Sequence, residues 1–247
     1  MENLLITDQS YISRIINIKR DKSIVVVIPA YNEEKSILKV VNDIPKSLVD
    51  EIVVVDNNSN DNTVSIAKGF GATVLSEKKK GYGAACLTGV RYALEKKFDI
   101  VVFLDADYSD FPEEIYKLIE PITKDNIDLV IGSRNLGGAQ SGALLPHAIF
   151  GNMLATYLIN LMFKMKFSDL GPFRAIRSES LFKLNMKDLN YGWTVEMQVK
   201  AAKLKMKCSE VSVSYRSRIG DSKISGTISG SLKAGLKILY IIFKYAF

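Results

Sequence analysis

Short apolar runs recur along the first half of the chain, and a polar loop follows each of them. These runs lie at residues 24–28, 51–56, 72–75, 100–104 and 127–131. Continuous apolar runs of this length are typical of strands that are buried on both faces of a parallel sheet. Segments with helical spacing separate them. Residues 24–132 therefore predict an α/β domain in which helices cover both faces of a mostly parallel sheet.

Acidic residues follow two of the predicted strands. Asp56 ends the second strand, and Asp105 and Asp107 follow the fourth. Open α/β sheets bind ligands at this carboxyl edge. If the backbone stays extended at this point, the side chains of Asp105 and Asp107 leave on the same side and can converge on one cation. A solvated acidic turn explains this segment equally well when it is taken alone.

Two further loops carry helix-start signals. Residues 78–83 combine three lysines with two glycines before a helix that is predicted to run to Glu95. Such a loop suits phosphate, although a solvated lysine turn has the same composition. Asp110 is expected to cap the next helix, with Pro112 in its first turn.

The second half of the chain departs from the strand–helix alternation. We expect a mobile glycine-rich loop at 135–141, an apolar helix at 147–163, a helix ending near Leu204, a strand at 208–215 and a basic loop at 216–223. A short amphipathic helix is also predicted within residues 1–22.

The last residues, 227–247, predict an amphipathic helix that follows the main domain at 1–226. Lys233, Lys237 and Lys244 fall within about 40° of one another on a helical wheel, and the remaining faces are apolar. This pattern is typical of interfacial membrane binding or of a subunit contact in a homo-oligomer, and packing on the protein's own core is the alternative. We favour membrane association, because the lysines cluster and the end of the chain is so apolar.

Composition narrows the partner classes. The chain has 247 residues, 47% of them hydrophobic and 24% charged, with a net charge of +6. This charge favours an anionic partner such as a phosphate group or a membrane surface, and no nucleic-acid motif is present. Cys86 and Cys208 have no metal-ligand spacing, which predicts reduced thiols in a cytoplasmic protein. Neither a secretory signal nor a run of roughly 18 apolar residues is recognisable.

Several motifs together resemble family-two glycosyltransferases of the GT-A fold, in particular the dolichyl- and polyprenyl-phosphate mannose or glucose synthase-like branch. The matching segments are residues 27–33, 52–56, 81–84, 104–107, 132–134, 168–174, 192–196 and 218–223. They span about residues 23–226 in the family's order. Each motif is weak alone, whereas the set is specific.

The resemblance implies a nucleotide-sugar pocket and a metal site. Asp56 would accept a hydrogen bond from the base, while Asp105 and Asp107 would flank the diphosphate and hold Mg²⁺ or Mn²⁺. The other residues implied in nucleotide-sugar binding are Pro29, Ala30, Tyr31, Glu33, Gly83 and Ala106.

The resemblance also implies charged groups around the transferred sugar. The positive charges of Arg134, Arg218 and Lys223 would bind the diphosphate or an acceptor phosphate. Asp169 and Glu196 lie where the family has active-site acids. Asp169 is our candidate base for a hydroxyl acceptor, and Glu196 fits helix stabilisation nearly as well.

Two departures from the family pattern affect specificity. Asn57 and Asn58 stand where many relatives have Asp-Gly, which leaves the base preference open. Residues 144–152 lack the arginine that grips the acceptor phosphate in lipid-phosphate synthases. His147 could partly replace it, although a surface or structural histidine fits better.

We therefore expect an inverting, metal-dependent transfer of a hexose from a UDP- or GDP-sugar to a polyprenyl phosphate, at the cytoplasmic membrane face. The alternative, favoured by the missing arginine, is a family-two enzyme that acts on a soluble or glycan hydroxyl acceptor. A non-catalytic nucleotide-sugar binder, or a nucleotidyltransferase-like enzyme, is the third hypothesis. It is disfavoured because both metal-binding acids and the basic loop are present.

Overall fold

A computed structural model of the chain describes residues 21–220 and 228–246. Residues 1–20, which hold most of the predicted N-terminal helix, lie outside this range, and so does Lys223 of the basic loop.

The described residues form one seven-stranded sheet in the order β3-β2-β1-β4-β6-β5-β7. Only β6 runs antiparallel to its neighbours within this part of the chain, so the prediction of a mostly parallel α/β sheet is confirmed. The strands are β1 (Ile24–Ala30), β2 (Glu51–Asp56), β3 (Thr73–Ser76), β4 (Ile100–Phe103), β5 (Leu129–Ser133), β6 (Arg174–Arg177) and β7 (Cys208–Ser212).

Helices connect these strands and cover both faces of the sheet. They are α1 (Ile37–Asp43), α2 (Thr63–Gly69), α3 (Tyr82–Glu95), α4 (Ile115–Lys124), α5 (Arg134–Gly137), α6 (Pro146–Phe163), α7 (Ser178–Leu184), α8 (Trp193–Lys203) and α9 (Ile228–Ala246). A short 3₁₀ helix, Pro112–Glu114, precedes α4.

Strand β1 divides the core into two layers. Its side chains point alternately to opposite faces. Val26 and Ile28 pack with α1, α2 and α4, whereas Val25 and Val27 pack with α3, α6, α8 and α9. All four side chains are fully buried, which explains why the sequence shows a continuous apolar run.

The pairing register brings three strand ends to one edge of the sheet. Ala30 at the end of β1 lies opposite Asp56 at the end of β2. On the other side of β1, Val27 pairs with Phe103, the last residue of β4. Residues 104–107 therefore emerge beside the loops that follow β1 and β2.

Strand β6 and helix α7 are absent from the sequence-based prediction, which placed Arg174 in a loop. The side chain of Arg174 is fully buried, and its guanidinium donates to the carbonyl oxygens of Leu170, Gly171 and Thr194. Burial lowers its pKa to about 10. An arginine inside a buried strand is unusual, so the pattern alone could not identify this strand.

Two other expectations are also corrected. The predicted glycine-rich loop at 135–141 begins inside a short helix, α5, whose first turn is capped by the hydroxyl of Ser133. The predicted helical cap at Asp110 is wrong, because the residue that precedes the 3₁₀ helix is Phe111 and no side-chain cap bond forms there.

The C-terminal helix, α9, packs beside α6 and α8. Ile241 and Ile242 on its inner face are buried in the core, whereas Leu236 and Tyr240 on its outer face are 59% and 57% exposed. Among the described residues, no helix combines the length and apolar character needed to cross a membrane.

Helix α3 is packed so closely on β1 that a methyl group at Gly89 has no room. A Cβ atom there would lie 2.3 Å from Val27 Cγ1. We predict that Gly89→Ala lowers the free energy of unfolding by about 1–3 kcal/mol, because overpacking outweighs the gain in helix propensity. Urea denaturation measures this change.

Gly151→Ala in α6 is the matched control, since no atom lies within 4 Å of the Cβ that it would add. In the double variant, Val27→Ala removes the methyl group that the new Cβ meets, so it should restore part of the stability that Gly89→Ala loses. Equal stability of Gly89→Ala and the unmodified protein would contradict the packing described for this interface.

Candidate active site

A cavity of about 420 Å³ opens at the carboxyl edge of the sheet, where β1, β2 and β4 end. Eight residues proposed from the sequence line it: Pro29, Ala30, Tyr31, Glu33, Asp105, Ala106, Asp107 and Arg218. The other lining residues are Asn57, Lys80, Gly81, Tyr82, Ala85, Asn190 and Tyr191. The sheet topology thus brings together segments that are more than a hundred residues apart in the chain.

Asp105 and Asp107 both line the cavity, although not by the predicted geometry. Strand β4 ends at Phe103, and Asp107 lies in a turn rather than in extended backbone. Tyr82 donates its hydroxyl to Asp105 Oδ1 at 3.0 Å. The hydroxyl and amide of Ser109 both donate to Asp107 Oδ1. These bonds fix the two carboxylates at the same wall.

Burial raises the pKa of Asp105 to about 7, and the nearby charge of Asp107 contributes to the rise. The hydrogen bond from Tyr82 and the charges of Arg218 and Arg134 act in the opposite direction. Two carboxylates this close and this buried repel one another in their ionised forms. A cation between them would relieve the repulsion.

The donor set fits a hard dication. Among the described residues, no group of three or more histidine, cysteine, aspartate and glutamate side chains could hold a metal ion. Asp105 and Asp107 place two carboxylates in the wall of the open cavity. Mg²⁺ is typically held by one or two carboxylates, with substrate phosphates and water as its other ligands, and this arrangement suits such coordination.

Arg218 lines the cavity and makes ion pairs with two acidic residues of the wall. Its guanidinium contacts Asp107 Oδ2 at 3.2 Å and Glu33 Oε1 at 3.4 Å. The side chain of Arg218 is 30% exposed. The backbone amide of Ile219 donates to the carbonyl of Asp107, which holds this loop against the turn after β4. The loop therefore supplies positive charge to the acidic wall.

Asp56 and Gly83 were proposed as binding residues but do not line the cavity in the described part of the chain. Asp56 Oδ1 accepts the amide of Ser59 and so shapes the loop after β2. A Cβ atom at Gly83 would lie 2.2 Å from the carbonyl oxygen of Asp188. Glycine at this position permits the close approach of two backbone segments.

Arg134 and Asp169 bind each other at the end of β5. The guanidinium makes two hydrogen bonds to the carboxylate, of 2.8 and 2.6 Å, and the amide of Arg134 adds a third. Asp169 is 1% exposed. Burial opposes the charge of Arg134, yet the hydrogen bonds and charge of Asp169 raise its pKa above the usual range. Asp169 thus acts on Arg134 in this geometry, and its oxygens are occupied.

Asp110 is buried close to these charged groups, and neither of its carboxylate oxygens has a hydrogen-bond partner among the described residues. Burial raises its pKa well above the ordinary value, and the charges of Asp105 and Asp107 raise it further. The protonated, neutral form of Asp110 is therefore favoured.

Sequence reasoning missed the wall formed by Asn190 and Tyr191, which line the cavity together with Tyr31 and Lys80. The only signal there was the motif at 192–196, which follows the wall directly. The backbone amide of Asn190 donates to Asp188 Oδ1 at 2.8 Å, which holds this residue in place. Glu196, which the sequence left open between two roles, is fully buried and accepts the amides of Lys187 and Asp188.

Comparison with known proteins places this geometry in a family. The model of glycosyl transferase family 2 matches residues 25–184. An uncharacterized glycosyltransferase of Mycobacterium tuberculosis is 34% identical over 222 residues, which cover 89% of this chain and 98% of that protein. An undecaprenyl-phosphate mannosyltransferase of Micrococcus luteus is 29% identical over 222 residues, or 84% of this chain and 89% of the relative.

A similar fold occurs in glucosyl-3-phosphoglycerate synthase from Mycobacterium tuberculosis, crystallised with Mn²⁺, UDP and glucosyl-3-phosphoglycerate. The TM-score is 0.76 at 22% sequence identity, over 95% of this chain and 84% of that chain. The family match and the relatives confirm the resemblance to family-two glycosyltransferases, including their polyprenyl-phosphate branch. The chain belongs to glycosyl transferase family 2, adopts the GT-A fold and is a glycosyltransferase.

Proposed function

We propose that the protein transfers a hexose from a UDP- or GDP-sugar to a polyprenyl phosphate, with inversion at the anomeric carbon. The observation that carries this proposal is an acidic cavity whose wall at residues 190–191 is tied through Asp188 to α9, together with the exposed apolar side chains of α6 and α9. The cavity suits the nucleotide diphosphate, and the apolar faces suit the lipid.

The donor occupies the cavity with its nucleoside toward the ends of β1 and β2. Pro29, Ala30 and Tyr31 offer backbone and ring surface to the base and ribose, and Lys80 lies 5.9 Å from the centre of the Tyr31 ring. The diphosphate then faces Asp105 and Asp107. Asp56 acts through the loop that it shapes, rather than from the cavity wall.

A divalent cation held by Asp105 and Asp107 would neutralise the charge that develops on the departing diphosphate. This part of the proposal is supported by the carboxylate pair and by the fold neighbour, whose crystals contain Mn²⁺ or Mg²⁺ together with UDP. Arg218 supplies further positive charge to the same phosphates. Lys223, which lies outside the described residues, is expected from the sequence to act in the same way.

A phosphate acceptor fits the state of Asp169. An acceptor hydroxyl needs a base to remove its proton, whereas a phosphate monoester is already anionic near neutral pH. Both oxygens of Asp169 are bound by Arg134. We therefore assign Asp169 to the orientation of Arg134, which binds the acceptor phosphate. Positioning and charge stabilisation then account for the rate.

The apolar surface supports a lipid acceptor and a peripheral location at the cytoplasmic membrane face. Helix α6 exposes large apolar side chains at spacings of three and four residues, which form one stripe. Its most exposed members are Phe150, Met153, Tyr157 and Leu161, at 67%, 59%, 63% and 65%. Leu236, Tyr240 and Phe243 of α9 extend this surface, and exposed Lys233 and Lys244 suit anionic headgroups.

A hydroxyl or soluble acceptor remains the second candidate, because residues 144–152 lack the arginine of the lipid-phosphate synthases. The fold neighbour, which binds phosphoglyceric acid, is consistent with such an acceptor. An acceptor of this kind would need no apolar docking surface. Comparing acceptors in one assay distinguishes the two candidates.

We predict that purified protein transfers label from a UDP- or GDP-hexose to a short-chain polyprenyl phosphate when Mg²⁺ or Mn²⁺ is present. The Asp107→Asn variant should lose about 10²–10³-fold of this rate, because one of two cation ligands is weakened. Asp125→Asn on the exposed end of α4 is the matched control and should keep full activity. Transfer to 3-phosphoglycerate or a glycan, with none to the lipid phosphate, would contradict the proposed acceptor.

The Asp169→Asn variant tests the role of the Arg134–Asp169 pair. We predict a fall of about tenfold or more in kcat, with the shape of the pH profile unchanged between about pH 6 and 8. This result is expected because the amide still orients Arg134, but more weakly. Loss of the acidic limb of the pH profile would instead identify Asp169 as a general base and favour a hydroxyl acceptor.

The membrane surface of α6 is tested by Phe150→Glu. Partition onto vesicles of phosphatidylethanolamine with a minority of phosphatidylglycerol should weaken about tenfold, since burial of one phenylalanine contributes about 1.5–3 kcal/mol. Phe182→Glu in α7, where the side chain is 72% exposed, is the matched control. Unchanged partition together with loss of a concentration-dependent dimer would assign the face to a subunit contact.

A further inference from the structure

The segment at residues 187–192 forms one wall of the donor cavity and touches the first turn of α3. Asn190 and Tyr191 line the cavity. The carbonyl of Leu189 accepts the amide of Ala84 at 3.0 Å, at the first turn of α3. Added methyl groups at Gly81 or Gly83 would collide with residues 188–190. A displacement of this segment would therefore change the shape of the cavity.

Asp188 holds this wall from behind. Its Oδ1 atom accepts the backbone amides of Asn190 and Gly192, at 2.8 and 3.0 Å. Its Oδ2 atom pairs with Lys237 of α9 at 2.8 Å, and the carboxylate is 2% exposed. A buried carboxylate needs compensation for its charge, so the orientation of Asp188 depends on Lys237.

A second carboxylate ties the same wall to the same helix. Glu196 Oε2 accepts the amides of Lys187 and Asp188, at 3.0 and 2.7 Å. Its Oε1 atom accepts the hydroxyl of Tyr245 at 2.9 Å and pairs with Lys200. Both carboxylates that anchor the wall thus have a partner on α9.

The outer face of α9 is the surface that the proposed function places on the membrane. Leu236 precedes Lys237 directly and is 59% exposed. Tyr240 lies one turn further along, and its ring is 5.6 Å from the Lys237 ammonium. The side chain of Lys237 is 37% exposed, so it lies at the boundary between the outer face of α9 and the buried Asp188.

We propose that α9 is a positioning element of the donor cavity, and that Lys237 couples the lipid-facing surface of this helix to the wall at residues 187–192. Seating of α9 on a bilayer restricts the helix, which holds Asp188 and the wall in the geometry that binds the nucleotide. Coupling between two ligands is reciprocal, so the nucleotide strengthens membrane binding by the same factor. This inference rests on the membrane docking proposed above.

A structural role in the core is the competing explanation, because α9 also buries Ile241 and Ile242. That role predicts loss of global stability with no specific effect on the nucleotide. Coupling predicts a change in nucleotide affinity that depends on vesicles. The two explanations therefore differ in an equilibrium measurement other than activity.

The test is titration calorimetry of UDP and of GDP, each with Mg²⁺, in the presence and absence of vesicles of phosphatidylethanolamine with a minority of phosphatidylglycerol. For the unmodified protein we expect vesicles to raise the affinity of the preferred nucleotide by about 5-fold to 30-fold. In Lys237→Met this rise should disappear, and Lys237→Arg should restore most of it. Lys68→Met removes the same charge from an exposed site on α2, on the other side of the sheet from α9, and is the matched control.

Tyr245→Phe provides a second variant that deletes one hydroxyl and leaves the packing of α9 in place. It should reduce the vesicle effect less than Lys237→Met does, because Lys200 still pairs with Glu196. Unfolding by urea, measured for each variant, shows whether the fold is retained.

Four results would overturn the coupling. Two concern the effect itself: no vesicle effect in the unmodified protein despite vesicle binding, or an undiminished effect in Lys237→Met. The other two concern the controls: an equal loss in Lys68→Met, or a loss in Lys237→Met that Lys237→Arg does not reverse. An unmodified protein that binds neither nucleotide would overturn the proposed function, and this inference with it. An unmodified protein that binds a nucleotide but no vesicles would overturn the membrane docking and the coupling, while the donor site would stand.

Discussion

Repulsion among buried carboxylates is the constraint around which the active site is arranged. Asp105, Asp107, Asp110 and Asp169 lie within electrostatic range of one another at the carboxyl edge of the sheet. The negative charge is reduced in a different way at three of them. Asp169 pairs with Arg134, Asp107 contacts Arg218, and the raised pKa of Asp110 favours its neutral form. Asp105 has a hydroxyl donor but no ion pair among the described residues. The uncompensated charge is thus concentrated at the cavity wall, where a cation and a diphosphate are proposed to bind.

Backbone register is what makes this concentration of charge possible. Parallel pairing of β1 with β2 and β4 brings three loops to one edge, and the antiparallel β6 brings Leu170 and Gly171 to the buried Arg174. Close backbone contacts at Gly81 and Gly83 then bring the wall at 187–192 against α3. The packing of the sheet and helices therefore fixes the positions of the acidic residues, and the loops that carry them do not have to rearrange to form the site.

Sequence patterns were sufficient for the parts of the molecule that obey simple periodicity. The parallel strands and most helices are buried elements whose apolar runs end at polar loops, so their positions could be predicted to within a few residues. Strand β6 could not, because the burial of Arg174 is compensated by hydrogen bonds to the carbonyl oxygens of Leu170 and Gly171 in the preceding loop and of Thr194 in α8, which come together only in the folded chain. The pairing of Asp169 with Arg134 and the unpaired state of Asp110 also depend on distant segments. Residue type alone predicted charge at these positions but not how it is compensated.

The two apolar helices bear on the acceptor more directly than the cavity does. Helix α6 is anchored to the active site through Asn152, whose side chain bonds the backbone of Ser168 and Leu170 on either side of Asp169. Its opposite face exposes Phe150 and Met153. A surface seated on α6 would therefore lie one helix diameter, about 10 Å, from the segment that orients Arg134. The phosphate of a lipid at the bilayer surface can reach Arg134 across this distance without entering the nucleotide cavity. A small soluble acceptor would make no use of the exposed apolar stripe. An exposed apolar stripe of this kind marks a surface that another apolar surface covers, and a bilayer that carries the proposed lipid acceptor is such a surface.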